Sequence, residues 1–460
     1  MNVLLINPPN LPFTDKSILI EPIDIIQIWS YIQSIWHSVD FLDMDVMTIG
    51  ASDLDLRKYD NITIVIMVFD YHIPLHTHHT QEQIIKIWRL FSDAGKKVIV
   101  WWKMATYYPK NFLFDCSWVD VVIHFDMEEP LSKLLSCVSW TPHFLKDIKN
   151  ISYLNEWIIC WDIKKQSFDI NLLPIAKRDF CDLDKYIDVR TILSSRWCPM
   201  RCEFCHVPWF RGKWQGRSPL LVVDEIQYLV ENVWAKKILF LDDNAPFDQK
   251  RMRDICDEII KRNIHVSLGC LSTIHNFNYT LMNHMYQAWF RWIHYWIETA
   301  NELLSKSIKK NLSQAKIIDV IGQTRDIWLR VRTSWILDLP WTNESILDET
   351  CKLITSLSTE EIRLHFLAVR LWSSYYEKYW ESVNKENFPR QYIHHWKSNY
   401  TFHAMSDTRF NMKVDYLLWQ LQNMQYILVK DIHDNAIFDT TQYNGESIVS
   451  LCPLKYWIWW

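Results

Sequence analysis

Apolar and polar positions follow two rhythms along this chain. Short, nearly continuous apolar runs mark strands buried on both faces, and longer stretches with apolar residues every three or four positions mark amphipathic helices. In the first third the runs fall at 3–7, closed by Pro8 and Pro9, then at 39–43, 62–69, 97–101 and 119–124, with helical patterns at 24–38 and 81–94. Strands separated by helices predict βαβ units and a parallel sheet, with ligands at the C-terminal strand ends. Residues 146–186 are irregular and read as a linker with short strands. A second series opens near Val189, with strands expected at 190–194, 237–241, 265–270, 292–297, 329–336 and 362–368. Six such units predict a partial (β/α)6 barrel of TIM type, whose chemistry sits at the C-terminal strand ends. The expected class is α/β: a Rossmann-like parallel sheet over 1–145, a linker over 146–186, the barrel over 187–380 and a small accessory C-terminal region over 381–460.

Composition narrows the setting. A chain of 460 residues predicts two or three domains. A net charge of −5 provides no basic field to attract nucleic acid. No run of about 18 apolar residues occurs, so no membrane span is expected. The opening residues Met1 to Asn7 lack the basic region and cleavage site of a signal peptide, which points to the cytoplasm. In that reducing compartment the 11 cysteines read as thiols or metal ligands rather than disulfides.

Three of those cysteines carry the chemistry. Cys198, Cys202 and Cys205 lie within eight residues, directly after the first expected barrel strand. Soft thiolates at this spacing can hold three corners of a [4Fe–4S] cluster and leave the fourth iron open to an amine and a carboxylate. The alternative is structural zinc, which wants four closed ligands; His206, adjacent to Cys205, is badly placed to be the fourth.

The segment Ser195 to Cys205, with Phe204 before its last cysteine, resembles the cluster loop of the radical S-adenosylmethionine superfamily. The resemblance implies reductive cleavage of S-adenosylmethionine to a 5′-deoxyadenosyl radical, fed by an electron donor such as flavodoxin or ferredoxin. Further segments are similar to the family's cofactor-binding elements: Asp242, Asp243 and Asn244 after the second barrel strand, Glu298 after the fourth, and Arg332 in the fifth. Helix capping and solvated charge are the ordinary readings of the same residues.

The first third resembles the cobalamin-binding domain that precedes the barrel in one large subclass. Asn7, Pro8, Trp101, Trp102, Ala105 and Thr106 stand where the corrinoid would lie. No Asp-x-His-x-x-Gly motif marks a lower cobalt ligand, and Phe125 and Met127 occupy positions where the subclass has glycine. A cofactor-free βαβ domain is the competing reading. For that subclass the resemblance most often implies methyl transfer through methylcobalamin, to a small-molecule or lipid-like substrate. Cyclisation or rearrangement, a tRNA methylthiotransferase and a non-catalytic iron–sulfur protein are the alternatives. A methylthiotransferase would carry three further cysteines in its first domain, where this chain has Cys116 and Cys137.

One feature of composition is abnormal. The chain has 26 tryptophans and 7 glycines. Ordinary usage of about 7% would give roughly 32 glycines, which the two counts together approach. The resemblance expects glycine where the sequence has Trp36, Trp101, Trp102, Trp197, Trp234, Trp296, Trp341 and Trp372, and the closing Trp457-Ile458-Trp459-Trp460 reads naturally as a glycine tail. UGA codons read as glycine in the source, and written here as tryptophan, would produce this pattern; a genuinely Trp-rich protein with aromatic binding surfaces is the competing reading.

Overall fold

The computed structural model describes residues 1–8, 20–47, 51–68, 78–101, 106, 109–114, 118–137, 139–156, 158–161, 168–210, 213–365, 367, 373–379, 407–425, 427–430 and 448–451. Contacts divide the chain into two compact units, one built chiefly from Met1–Tyr186 and the other chiefly from the residues after Tyr186.

The first unit is a seven-stranded sheet. Its strands are β1 (Asn2–Asn7), β2 (Ser38–Asp43), β3 (Ile64–Val68), β4 (Lys97–Trp101), β5 (Val121–Ile123), β6 (Ile151–Asn155) and β7 (Ile158–Trp161), in the order β2-β1-β3-β4-β5-β6-β7. The first five run parallel. All of β3 is buried, as its apolar run predicts. Helices α1 (Ile23–Ser34), α2 (His78–Asp93) and α3 (Glu128–Ser136) fill the connections. Within the stretch expected to be a linker, β6 and β7 pair antiparallel onto β5 and extend the sheet.

The second unit holds an eight-stranded sheet and a short ribbon. Strand β8 (Arg190–Ile192) leads into the ribbon of β9 (Ser195–Arg196) and β10 (Gln215–Gly216). There follow β11 (Lys237–Phe240), β12 (Ser267–Ser272), β13 (Phe290–Glu298), β14 (Arg330–Ile336), β15 (Glu361–His365), β16 (Ile427–Lys430) and β17 (Ile448–Leu451). The order is β16-β17-β15-β14-β13-β12-β11-β8, every pairing is parallel, and no pairing among the described residues joins β16 to β8. Helices α4 (Pro219–Glu231), α5 (Gln249–Lys261), α6 (Tyr279–Gln287), α7 (Glu302–Ser307), α8 (Gln314–Asp326) and α9 (Glu344–Leu357) alternate with the strands.

The C-terminal part corrects one expectation. Helix α10 (Asp407–Asn423) buries Phe410, Val414, Leu417 and Leu421 in the same core as α9, and β16 and β17 continue the barrel sheet. The described residues beyond 381 therefore belong to the barrel and do not form a separate accessory region.

Period-two alternation sorts the barrel strands. Tyr295, Trp335, Ile362 and Leu364 join the helix-facing core. Their neighbours His294, Arg332, Ser334, Glu361, Arg363 and His365 form a polar set on the other face, linked to one another by hydrogen bonds and ion pairs.

Six tryptophans adopt left-handed backbone: Trp36 (φ +65°), Trp197 (+78°), Trp234 (+54°), Trp289 (+70°), Trp328 (+69°) and Trp341 (+74°). Four of them were expected at glycine positions; Trp289 and Trp328 were not singled out. Trp101 and Trp296 lie in regular strands, so backbone geometry does not demand glycine there. Trp102, Trp372 and the closing Trp-rich tail lie outside the described residues.

Candidate functional site

The cysteine loop leaves the C-terminal end of β8 and is held from below by one carboxylate. Asp242, buried just after β11, accepts the Ser194 amide at 2.7 Å, the Ser194 hydroxyl at 2.5 Å and the Ser195 hydroxyl at 2.7 Å. These bonds fix the turn into the loop and commit the Asp242 carboxylate to it. Arg251 donates to the carbonyls of Ser194 and, at 2.6 Å, Arg217. Beyond the turn Trp197 is buried in left-handed backbone, and the thiols follow.

Within the loop the Cys205 amide donates to the Cys202 carbonyl at 3.1 Å, and the Glu203 amide to the Ile308 carbonyl at 3.2 Å. Phe204 packs with Leu304, Ile308, Ile336 and Leu339. Burial, with the Asp243 carboxylate next, pushes the Cys198 thiol up to about 12. Burial likewise raises Cys202 and Cys205, and Cys205 also feels the charges of Cys202, Asp243 and Cys198. The three sulfurs thus share one electrostatic neighbourhood. No group of three acidic, thiol or imidazole side chains among the described residues stands at metal-ligand spacing, so the sulfurs are neighbours and not an assembled tripod.

The expected cofactor residues separate into distinct roles. Asp243 is exposed and its charge reaches Cys198 and Cys205, so it faces the cysteine loop. Asn244 is buried and donates to Asn276 Oδ1 at 2.8 Å, leaving its own Oδ1 without a hydrogen-bond partner. Glu298 sits at a register shift where β13 ends, with φ at +75°, a strained geometry of the kind stored at ligand sites. Arg332 is ion-paired with Glu361, which Arg363 also engages at 2.9 Å, and it stacks over the Trp292 ring at 4.8 Å.

Sequence reasoning missed Lys310. Its Nζ lies 3.3 Å from Glu298 Oε1 and donates to the Trp296 carbonyl at 2.9 Å, in a fully buried position. Burial pulls its pKa down, but the charges of Glu298, Cys202 and Cys198 outweigh this and raise it, so the ammonium is retained. Nothing in a Lys-Lys pair after a short helix distinguishes this lysine from a solvated one, and only the fold brings it to the thiols.

In the first unit Asn7 donates to Asp43 at 3.0 Å and Pro8 is buried. The Trp101 indole donates to the Phe125 carbonyl at 2.7 Å, and the buried Thr106 hydroxyl accepts the Phe125 amide at 3.2 Å. Phe125 is left-handed, as a glycine position would be, whereas Met127 is not. Trp102 and Ala105 lie outside the described residues. His124 is buried against Ser152 at 2.7 Å, and burial lowers its pKa to about 3.

Residues 192–354, which include the cysteine loop, Glu298 and Lys310, match the Radical SAM superfamily. The chain carries a Radical SAM domain. An uncharacterized methyltransferase of Pyrococcus horikoshii is 24% identical over 278 residues, 58% of this chain and 60% of that protein. The chain therefore aligns with somewhat over half the length of this curated relative. Its fold is shared with TsrM from Kitasatospora setae, a radical S-adenosylmethionine methyltransferase solved with cobalamin and a [4Fe–4S] cluster bound (TM-score 0.72, 13% identity, 91% of this chain and 90% of that one). It is shared as well with OxsB, a cobalamin-dependent S-adenosylmethionine radical enzyme solved with aqua-cobalamin and S-adenosylmethionine (TM-score 0.66, 15% identity, 96% and 65%).

A Radical SAM domain implies a [4Fe–4S] cluster and S-adenosylmethionine, and the donor set here fits them. Three thiols on one loop share a neighbourhood, and the Lys310 ammonium beside two of them offsets the negative charge that deprotonation at iron creates.

Proposed function

We propose that this chain cleaves S-adenosylmethionine at a [4Fe–4S] cluster held by Cys198, Cys202 and Cys205, and transfers a methyl group through cobalamin to a small-molecule or lipid-like substrate. The observation that carries this reading is the cysteine loop, seated by Asp242 at the C-terminal end of β8 with a buried Lys310–Glu298 pair beside it. When bound, the cluster supplies one electron to the sulfonium, and cobalamin supplies the methyl group. The chain's own residues bind and orient. Asp243 offers its carboxylate to the methionine ammonium, and Glu298, pinned by Lys310, faces the nucleoside. Asn244 supports the strand end, Arg332 sets the polar floor of the barrel through Glu361, and Phe204 seals the loop against the adjoining apolar cluster. The left-handed turn at Phe125, held by Thr106, together with Asn7 and Pro8, forms the strand-end rim where the corrin would rest. An electron donor of flavodoxin or ferredoxin type in the cytoplasm completes the system.

Anaerobic reconstitution of the full chain with iron, sulfide and cobalamin tests this. Under reduction we expect 5′-deoxyadenosine from S-adenosylmethionine, and a substrate that gains the mass of one methyl. A bound cluster with no 5′-deoxyadenosine would overturn the catalytic reading, and a product without added mass would replace methyl transfer by ring formation or rearrangement.

A further inference from the structure

We infer that the residues written as tryptophan at 36, 197, 234, 289, 328 and 341 are glycine in the protein made by its own cell, because its gene uses UGA for glycine. Left-handed backbone is open to glycine and tolerable for asparagine, but for a bulky side chain it is a genuine outlier. Among the described residues fifteen non-glycine positions are left-handed and six of them are tryptophan, while Gly95 is the one glycine.

The hydrogen bonds at these positions show what the geometry is for. Gly95 closes α2 with its amide on the Ser92 carbonyl and the next amide, of Lys96, on the Phe91 carbonyl. This is the Schellman cap, whose left-handed residue is usually glycine. Trp36 closes α1 in the same way, with its amide on Gln33 and that of His37 on Ile32. Trp328 closes α8 likewise, with its amide on Arg325 and that of Leu329 on Thr324. Trp289 follows α6 with its amide on Tyr286, and Trp234 lies in the turn where the Ala235 amide returns to Leu229 of α4. At Leu339-Pro340-Trp341-Thr342 the Thr342 amide donates to the Leu339 carbonyl at 3.0 Å, a type II turn whose third residue needs positive φ.

The side chains at four of these positions contribute little packing. Trp36 is 95% exposed, Trp234 and Trp328 80%, and Trp341 66%. Each sits where a helix or turn needs a residue without Cβ, and its indole stands in water. Trp335 is the contrast: it lies in a regular strand, fully buried, with its indole N–H on the Thr333 hydroxyl at 3.0 Å. The other two differ: Trp289 is half-buried, its ring 4.7 Å from that of His265 and 4.5 Å from the Arg291 guanidinium, and Trp197 is buried just before Cys198. Glycine at 197 frees the backbone immediately before Cys198.

The test has three arms. The gene is expected to carry UGA at all six positions, and peptides of the protein recovered from its own cells are expected to have glycine masses there. UGG codons, or tryptophan in those peptides, would overturn the inference. In the full chain, W36G, W289G, W328G and W341G are each expected to raise the thermal unfolding midpoint or the soluble yield, and W335G to lower it. A fall at the four caps and turns, or a rise at W335G equal to theirs, would count against it. None of these readouts depends on a bound cluster or on activity.

Discussion

Lys310 is held beside Glu298 because its main chain is fixed from two sides. Its amide donates to the Ser305 carbonyl at 2.9 Å as α7 unwinds, and His275 Nε2 meets its carbonyl at 2.5 Å. Removing a single partner from a buried ion pair leaves an uncompensated charge and costs about 3–5 kcal/mol. Urea unfolding should therefore show Lys310→Met destabilised by about that amount. The double variant Lys310→Met, Glu298→Gln should recover most of the loss. A second residue-scale prediction concerns acid. Folding depresses His124 from 6.5 to about 3 by burial, so the neutral form is the folded form. The unfolded chain takes up a proton below about pH 6.5 that the folded chain refuses, and stability falls by about 1.4 kcal/mol per pH unit from there toward pH 3. His124→Asn should flatten that part of a stability-versus-pH curve, and an unchanged slope would show that His124 does not set it.

At the scale of elements, α10 is an integral part of the barrel. Its Leu417 and Leu421 are fully buried, and Lys413 and Arg409 reach Glu344 and Asp348 of α9. Leu417→Ala should cost about 2–5 kcal/mol in urea unfolding of the full chain, as a core truncation does. Arg409→Ala, in an exposed pair, should cost less than about 1 kcal/mol. The central strands were legible because they are buried on both faces and so read as unbroken apolar runs, β3 being the clearest case. The sheet extensions were less so: short strands were expected within 146–186 but not their pairing onto β5, and β16 and β17 were not expected, because strands of four and five residues carry too few positions for a period to show. The cysteine loop was legible because its spacing is local. The Lys310–Glu298 pair joins two segments across a helix, and the commitment of Asp242 to Ser194 and of Arg332 to Glu361 spans 48 and 29 residues, which no local pattern records.

For the molecule as a whole, two units with separate cores divide the work. The barrel unit carries the three thiols and the buried Lys310–Glu298 pair, and the first unit carries the seven-stranded, mainly parallel sheet. The proposed chemistry depends above all on Cys198, Cys202 and Cys205 acting together on one cluster. Iron and sulfide content, measured with the visible absorption of anaerobically reconstituted single alanine variants of these cysteines, tests this most directly. Alanine at any one of the three should lose most of the cluster and all 5′-deoxyadenosine formation, while alanine at Cys256, buried in the barrel core, should keep both in whatever protein remains folded. A variant lacking any of the three thiols that kept a full complement of iron and still cleaved S-adenosylmethionine would show that these cysteines do not hold the cluster together.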